Sequence, residues 1–203
     1  MSSQYEINWD KTIGTPVNDH NQGIVVDEQG NINIATSSAL GKILSFYQYN
    51  EHGQELNSLE NVLPQESQNG YYTAALGELA KGINGELIYN GTVVPDTRGV
   101  QYGSTNQSLV KITSDFTVGN NREYISTGNK YGRSTAVDQS GDIYIAGLQT
   151  TYPANYTEGL LTKLDGTTNS IDWSNVLAPP TSHYYTDSSL TDVEADSSGN
   201  IYA

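Results

Sequence analysis

Three stretches carry a carboxylate at a fixed distance from a glycine: Asp27 with Gly30, Asp138 with Gly141, and Asp196 with Gly199. Each glycine is followed by Asn or Asp, and a fourth related glycine is Gly85. A carboxylate beside a tight turn could start a calcium loop, since calcium takes six to eight oxygen ligands from close-set carboxylates and carbonyls. The spacing argues otherwise: an EF-type loop places acids at its first, third and fifth positions before the glycine. Here one acid precedes each glycine. An Asp that opens a turn instead accepts hydrogen bonds from amides two residues on. The expected role of Asp27, Gly30, Gly85, Asp138, Gly141, Asp196 and Gly199 is therefore structural, with calcium as the lesser reading and no cofactor expected.

The densest acidic stretch holds Asp187, Asp192, Glu194 and Asp196. It is the best candidate for a bound cation, against the reading of a solvated acidic rim. His20, His52 and His183 share no metal-like spacing. Tyrosine is abundant, at 15 copies, and Tyr71-Tyr72 and Tyr184-Tyr185 lie in matching contexts. Tyr152 and Tyr156 fall in what reads as an insertion over 148–158. Flat aromatics beside Asn, Ser and Asp suit carbohydrate by stacking and hydrogen bonding. Packing of one Tyr of each pair between structural units is the competing reading. No G-x-S-x-G occurs, so nucleophile-elbow hydrolysis has no support and no catalytic residue is assigned.

Composition narrows the setting. The chain has 203 residues, 35% hydrophobic, and 23 acidic against 9 basic side chains, for a formal charge of −14. Such a surface repels nucleic acid and anionic membranes. No apolar run approaches the roughly 18 residues of a membrane-spanning helix. Cysteine is absent, which excludes disulfides and thiolate chemistry. Abundant Gly, Asn, Ser, Thr and Tyr favour many short strands with polar turns.

These residues are held by a repeat. The turn glycines Gly30, Gly85, Gly141 and Gly199 are spaced by 55, 56 and 58 residues. Each lies between β-patterned runs, as in VVDEQGNINIAT (25–36) and TAVDQSGDIYIAG (135–147), and reads as the turn of a hairpin. A third run follows each complete hairpin, at 42–49, 108–113 and 159–164, and a fourth at 59–63, 122–126 and 171–177. The run INWDKTI (7–13) parallels IDWSNVL (171–177) around Trp9 and Trp173. In the second unit Lys81 stands for the Asp, with one residue inserted before Gly85. Four strands per unit of about 55 residues predicts an all-β chain built as a β-propeller of four-stranded antiparallel blades. The expected layout is one repeat region, 1–203, of about three and a half blades. Its parts are a fourth-type strand at 3–13, blades at 23–63, 73–126 and 132–177, and a partial blade at 190–203. The 3–13 strand would complete the last blade, leaving an incomplete ring or part of a larger one. Units two and four share Asn-Val-Leu, Pro and Tyr-Tyr-Thr, which suggests duplication of a two-blade ancestor.

The motif resembles the bacterial β-propeller repeat family, whose units read apolar-apolar-Asp-x-x-Gly-Asn-apolar-Tyr-apolar-x-Gly. The matching residues are Val137 to Gly147, then Val26-Asp27 with Gly30-Asn31, then Asp196 with Gly199-Asn200-Ile201-Tyr202. The resemblance implies large secreted or surface proteins without a shared catalytic site. The expected function is thus a non-catalytic extracellular or cell-surface module for structure, assembly or adhesion. Its partners would be other chains or further blades, with carbohydrate as a lesser candidate. The alternative is a propeller enzyme or ligand sensor with a channel or loop-face site for a cation or carbohydrate.

Overall fold

The computed structural model describes residues 9–13, 20–38, 43–62, 72–94, 106–124, 129–151, 156–177 and 188–203. Its strands fall into three four-stranded antiparallel meanders and one hairpin. Blade one is β1 (His20–Val26), β2 (Ile32–Ser38), β3 (Ile43–Tyr49) and β4 (Glu55–Leu59). Blade two is β5 (Tyr72–Lys81), β6 (Leu87–Val94), β7 (Asn106–Ile112) and β8 (Val118–Tyr124). Blade three is β9 (Asn129–Val137), β10 (Ile143–Thr151), β11 (Tyr156–Leu164) and β12 (Ile171–Leu177). The start of a fourth is the hairpin β13 (Glu194–Ala195) and β14 (Ile201–Tyr202). First strands lie side by side, β1 against β5, β5 against β9 and β9 against β13, so blades stack face to face in chain order.

Strand periodicity gives every blade two faces. One face of blade one carries Ala35, Leu44 and Phe46, which pack on Leu79, Leu87, Tyr89, Val110 and Ile112 of blade two. Phe46 meets Tyr89 edge-on, with ring centroids 5.9 Å apart. The opposite face of blade two presents Ile88 and Leu109 to Ile143, Ile145 and Leu164 of blade three. Ala136, Tyr144 and Ala146 of blade three then close over Val193. Each fully buried side chain of this size contributes about 1.5–3 kcal/mol, so the stack is held by three inter-blade cores.

The five-residue turn that opens with Asp recurs beyond the positions the sequence marked. Asp27, Asp138 and Asp196 each donate their amide to the carbonyl four residues on, and the glycine at the fourth position returns its amide to the Asp carbonyl. The outer hairpin Asn50–Gln54 repeats this pattern, with Gly53 at φ 74°, and Thr113–Thr117 does so with Phe116 at φ 57°. In blade two the pairing Lys81↔Leu87 matches Val26↔Ile32 and Val137↔Ile143. Gly82 therefore takes the Asp position and nothing is inserted, which corrects the sequence alignment. Lacking that carboxylate, the turn instead sets two residues left-handed, Asn84 at φ 59° and Gly85 at φ 77°.

Other boundaries also shift. The fourth strand of blade one is Glu55–Leu59, not 59–63, because the tight Asn50–Gln54 turn starts it early. In blade two it is Val118–Tyr124, for the same reason. The supposed insertion over 148–158 is mostly ladder, since β10 and β11 stay paired from Ile143↔Leu164 out to Thr151↔Tyr156. Of the strand expected at 3–13, residues 9–13 are described and join no sheet. Trp9 folds under blade one: its indole Nε1 donates to the Glu51 carbonyl at 2.8 Å, and its ring lies 6.5 Å from that of Tyr49. Trp173, by contrast, sits in β12 opposite Lys163 and meets Tyr144 of its own blade. The two tryptophans are not equivalent.

Candidate functional site

The carboxylates first considered for calcium are occupied by their own turns. Asp138 Oδ1 accepts from the amides of Ser140 (2.9 Å) and Asp142 (3.0 Å) and from Ser140 Oγ (2.8 Å). Its Oδ2 accepts from the Tyr144 hydroxyl at 3.1 Å. Asp196 is held likewise by the amides of Ser198 and Asn200, the Asn200 side chain and the Tyr202 hydroxyl. Asp27 takes the amides of Gln29 and Asn31 and the Asn31 side chain. At Asp27 and Asp138 burial opposes the charged form, yet the donated hydrogen bonds outweigh it and hold both carboxyls below the ordinary range. At Asp196 the hydrogen bond from the Asn200 side chain leads the same downward shift.

The acidic stretch divides its members among different jobs. Asp192 Oδ1 accepts from Ser134 Oγ of blade three (2.8 Å) and from the Val193 amide. Glu194 is exposed on β13. Among the described residues no three His, Asp or Glu side chains converge as a metal-holding group. Asp187, Tyr71, Tyr184 and Tyr185 lie outside the described residues, as do His183 and Tyr152. Tyr72 is placed only by its backbone, paired with Val94 in blade two.

Two further features, which the sequence did not single out, lie on the described surface. The first is the face of blade one turned away from blade two. Ile24 is 57% exposed and Val26 59% exposed, on the row pairs Ile24–Ile34–Tyr47 and Val26–Ile32–Tyr49. By register these correspond to Leu79–Tyr89–Val110 and Lys81–Leu87–Ile112, the blade-two side of the first inter-blade core. Leu79, the counterpart of Ile24, is only 3% exposed. Trp9 and Lys11 cover one end of the open face at Tyr49, whose phenol is pushed up to about 12 by burial and by the nearby Glu55 carboxylate.

The second feature is a cleft of about 430 Å³ between blades two and three, on the side of the tight turns. Its wall includes Ile88, Lys111, Gly119, Glu86, Thr113, Ser140 and Thr167. Lys111 is 8% exposed, and its Nζ donates to the Gly166 carbonyl across the cleft at 2.5 Å. Alternating burial could have marked Lys111 as inward-facing, but only the inter-blade register shows what it faces.

No family model matches the chain, and no curated protein matches it. Among solved structures, the chain is similar to the structure of the Dos1 propeller, with a TM-score of 0.52 and 11% identity over 89% of this chain and 41% of that one. A second similarity, to a chimera of ACO and RPE65, has a TM-score of 0.45 and 10% identity over 73% of this chain and 36% of the other. This chain thus spans about two-fifths of the length of the first and roughly a third of the second. The first likeness, with the four-stranded antiparallel sheets, defines the chain as a β-propeller by fold. Among the described residues the blades close no ring. Nor is any described helix long and apolar enough to cross a membrane.

Proposed function

We propose that this chain serves as a non-catalytic extracellular or cell-surface β-propeller module in structure, assembly or adhesion, with other chains or further blades as its partners. The observation that carries this reading is the face of blade one that no described blade covers, with Ile24 and Val26 more than half exposed. Its apolar rows sit at the same register as rows that another blade covers within the molecule. A face built for a blade is best satisfied by a blade, one offering small, branched and aromatic residues like Ala35, Leu44 and Phe46. The family resemblance supplies the extracellular setting, and the acid excess and lack of cysteine are compatible with it.

The assembly half of this reading is tested by light scattering over a concentration series. Self-association of the unaltered chain is expected, and Ile24→Asp with Val26→Asp should abolish it while leaving the melting temperature within a few degrees. A single monomeric mass at all concentrations would refute self-assembly. Protease shaving of intact cells that make the protein tests its location, and full protection would rule out the surface.

A further inference from the structure

We propose that the cleft between blades two and three binds a small hydroxylated carboxylic acid, of the sugar-acid type, through Lys111. The argument starts from a comparison within the molecule. Lys163 of blade three occupies the same register position as Lys111: Tyr144↔Lys163↔Trp173 corresponds to Ile88↔Lys111↔Asn120. Lys163 is neutralised twice, by Asp142 at 2.6 Å and Asp172 at 3.4 Å. Asp172 is the residue that bulges out of β12, because Lys163 pairs Trp173 and Leu164 pairs Ile171.

The same bulge exists in blade two, where Lys111 pairs Asn120 and Ile112 pairs Val118. The bulged residue there is Gly119, which has no side chain to offer. The position of Asp142 is taken by Glu86, the fifth residue of its turn, and no described carboxylate reaches ion-pair distance of Lys111. A buried ammonium with a single carbonyl partner lacks the charged acceptor that normally offsets its desolvation. Gly119 and Lys111 both line the cleft, so the space left open lies where the blade-three lysine has its second carboxylate.

A ligand carboxylate placed there would accept a charge-assisted hydrogen bond from Lys111 Nζ. The rest of the lining can meet hydroxyls on that ligand: Thr167 offers a hydroxyl, Ser140 Oγ keeps acceptor capacity beside the bond it donates to Asp138, and Ile88 gives a small apolar floor. The volume lies within the range of small-molecule sites. Glu86 opposes the ligand's charge, and this gives the proposal a sign that can be measured.

The test uses D-glucuronate as probe and D-glucose as its neutral counterpart, followed by titration calorimetry and by amide shifts in NMR. Glucuronate should bind and shift the amides of Lys111, Gly119 and Gly166, while glucose binds at least about tenfold more weakly. Lys111→Gln should lose about tenfold or more in glucuronate affinity. It should keep the fold, because Gln48 already fills this register position in blade one. Glu86→Gln should tighten glucuronate binding. Equal binding of glucose and glucuronate, unchanged affinity in Lys111→Gln, weaker binding in Glu86→Gln, or shifts confined to residues away from the cleft would each overturn the proposal. The wild-type shift map decides the matter even if a variant fails to fold.

Discussion

At the scale of single residues, the aspartates that open the turns act as stapling groups. Asp138 satisfies two amides and two hydroxyls with one carboxylate, and hydrogen bonds to a charged group contribute more than neutral ones. Asp138→Ala should therefore cost about 1–3 kcal/mol at neutral pH, read by chemical denaturation. The sign of the pH effect follows from the lowered carboxyl. A group whose folded value is depressed stabilises above its unfolded value and stops doing so as pH falls through the folded one. The gap between wild type and Asp138→Ala should accordingly close below about pH 4. A gap that stays constant into acid would show that the lost packing, not the charge, sets the cost. Asp138 and Gly141 were legible in the sequence because an acid and a glycine at this spacing have a local mechanism. Gly82 was not, since a glycine in the Asp position sends no such signal and Lys81 beside it draws the eye.

Elements obey the repeat more faithfully than the sequence motif does. Alternation and turn glycines were enough to find the strands of each blade, because a pleated half-buried strand is written into every second residue. The fourth strand of blade two was misplaced because its turn does not advertise itself: Phe116 stands left-handed where a glycine would be expected, whereas that of blade three lies at 171–177 as expected. Phe116 tolerates that backbone while its ring joins the core between blades one and two. Packing between elements was illegible for a different reason. Gly132 of β9 lies against the Asn90 side chain of β6, so close that a Cβ there would sit 2.2 Å from Asn90 Nδ2. Nothing local to Gly132 in sequence announces this. Gly132→Val should force the two blades apart and lower stability by about 1–3 kcal/mol, with loss of the cooperative melt as the stronger outcome. A variant as stable as wild type would mean that the blades pack differently there. The cleft at Lys111 was hidden for the same reason, since it depends on which residue bulges in β8 and what blade three sets opposite.

Among the described residues the molecule is a row of sheets, each packed on its neighbours in chain order. Blades two and three both have covered faces on both sides, and blade two is flanked by a complete blade on each: Tyr89 and Val110 toward blade one, Ile88 and Leu109 toward blade three, each 1% exposed. Blade one has one face that no described blade covers, with Ile24 and Val26 turned outward. That difference governs where the molecule opens first. In a linear stack without ring closure, stability is a sum of unit terms and nearest-neighbour interfaces, and opening proceeds inward from the ends. Amide hydrogens of β6 and β7 should exchange slowest, close to the global unfolding rate, while those of β1 and β13 exchange by fraying at a far lower free-energy cost. Uniform protection across all blades would show that the molecule unfolds as one unit. Covering the open face would then do more than add contacts. It would turn a stack that frays from its end into one that opens only as a whole.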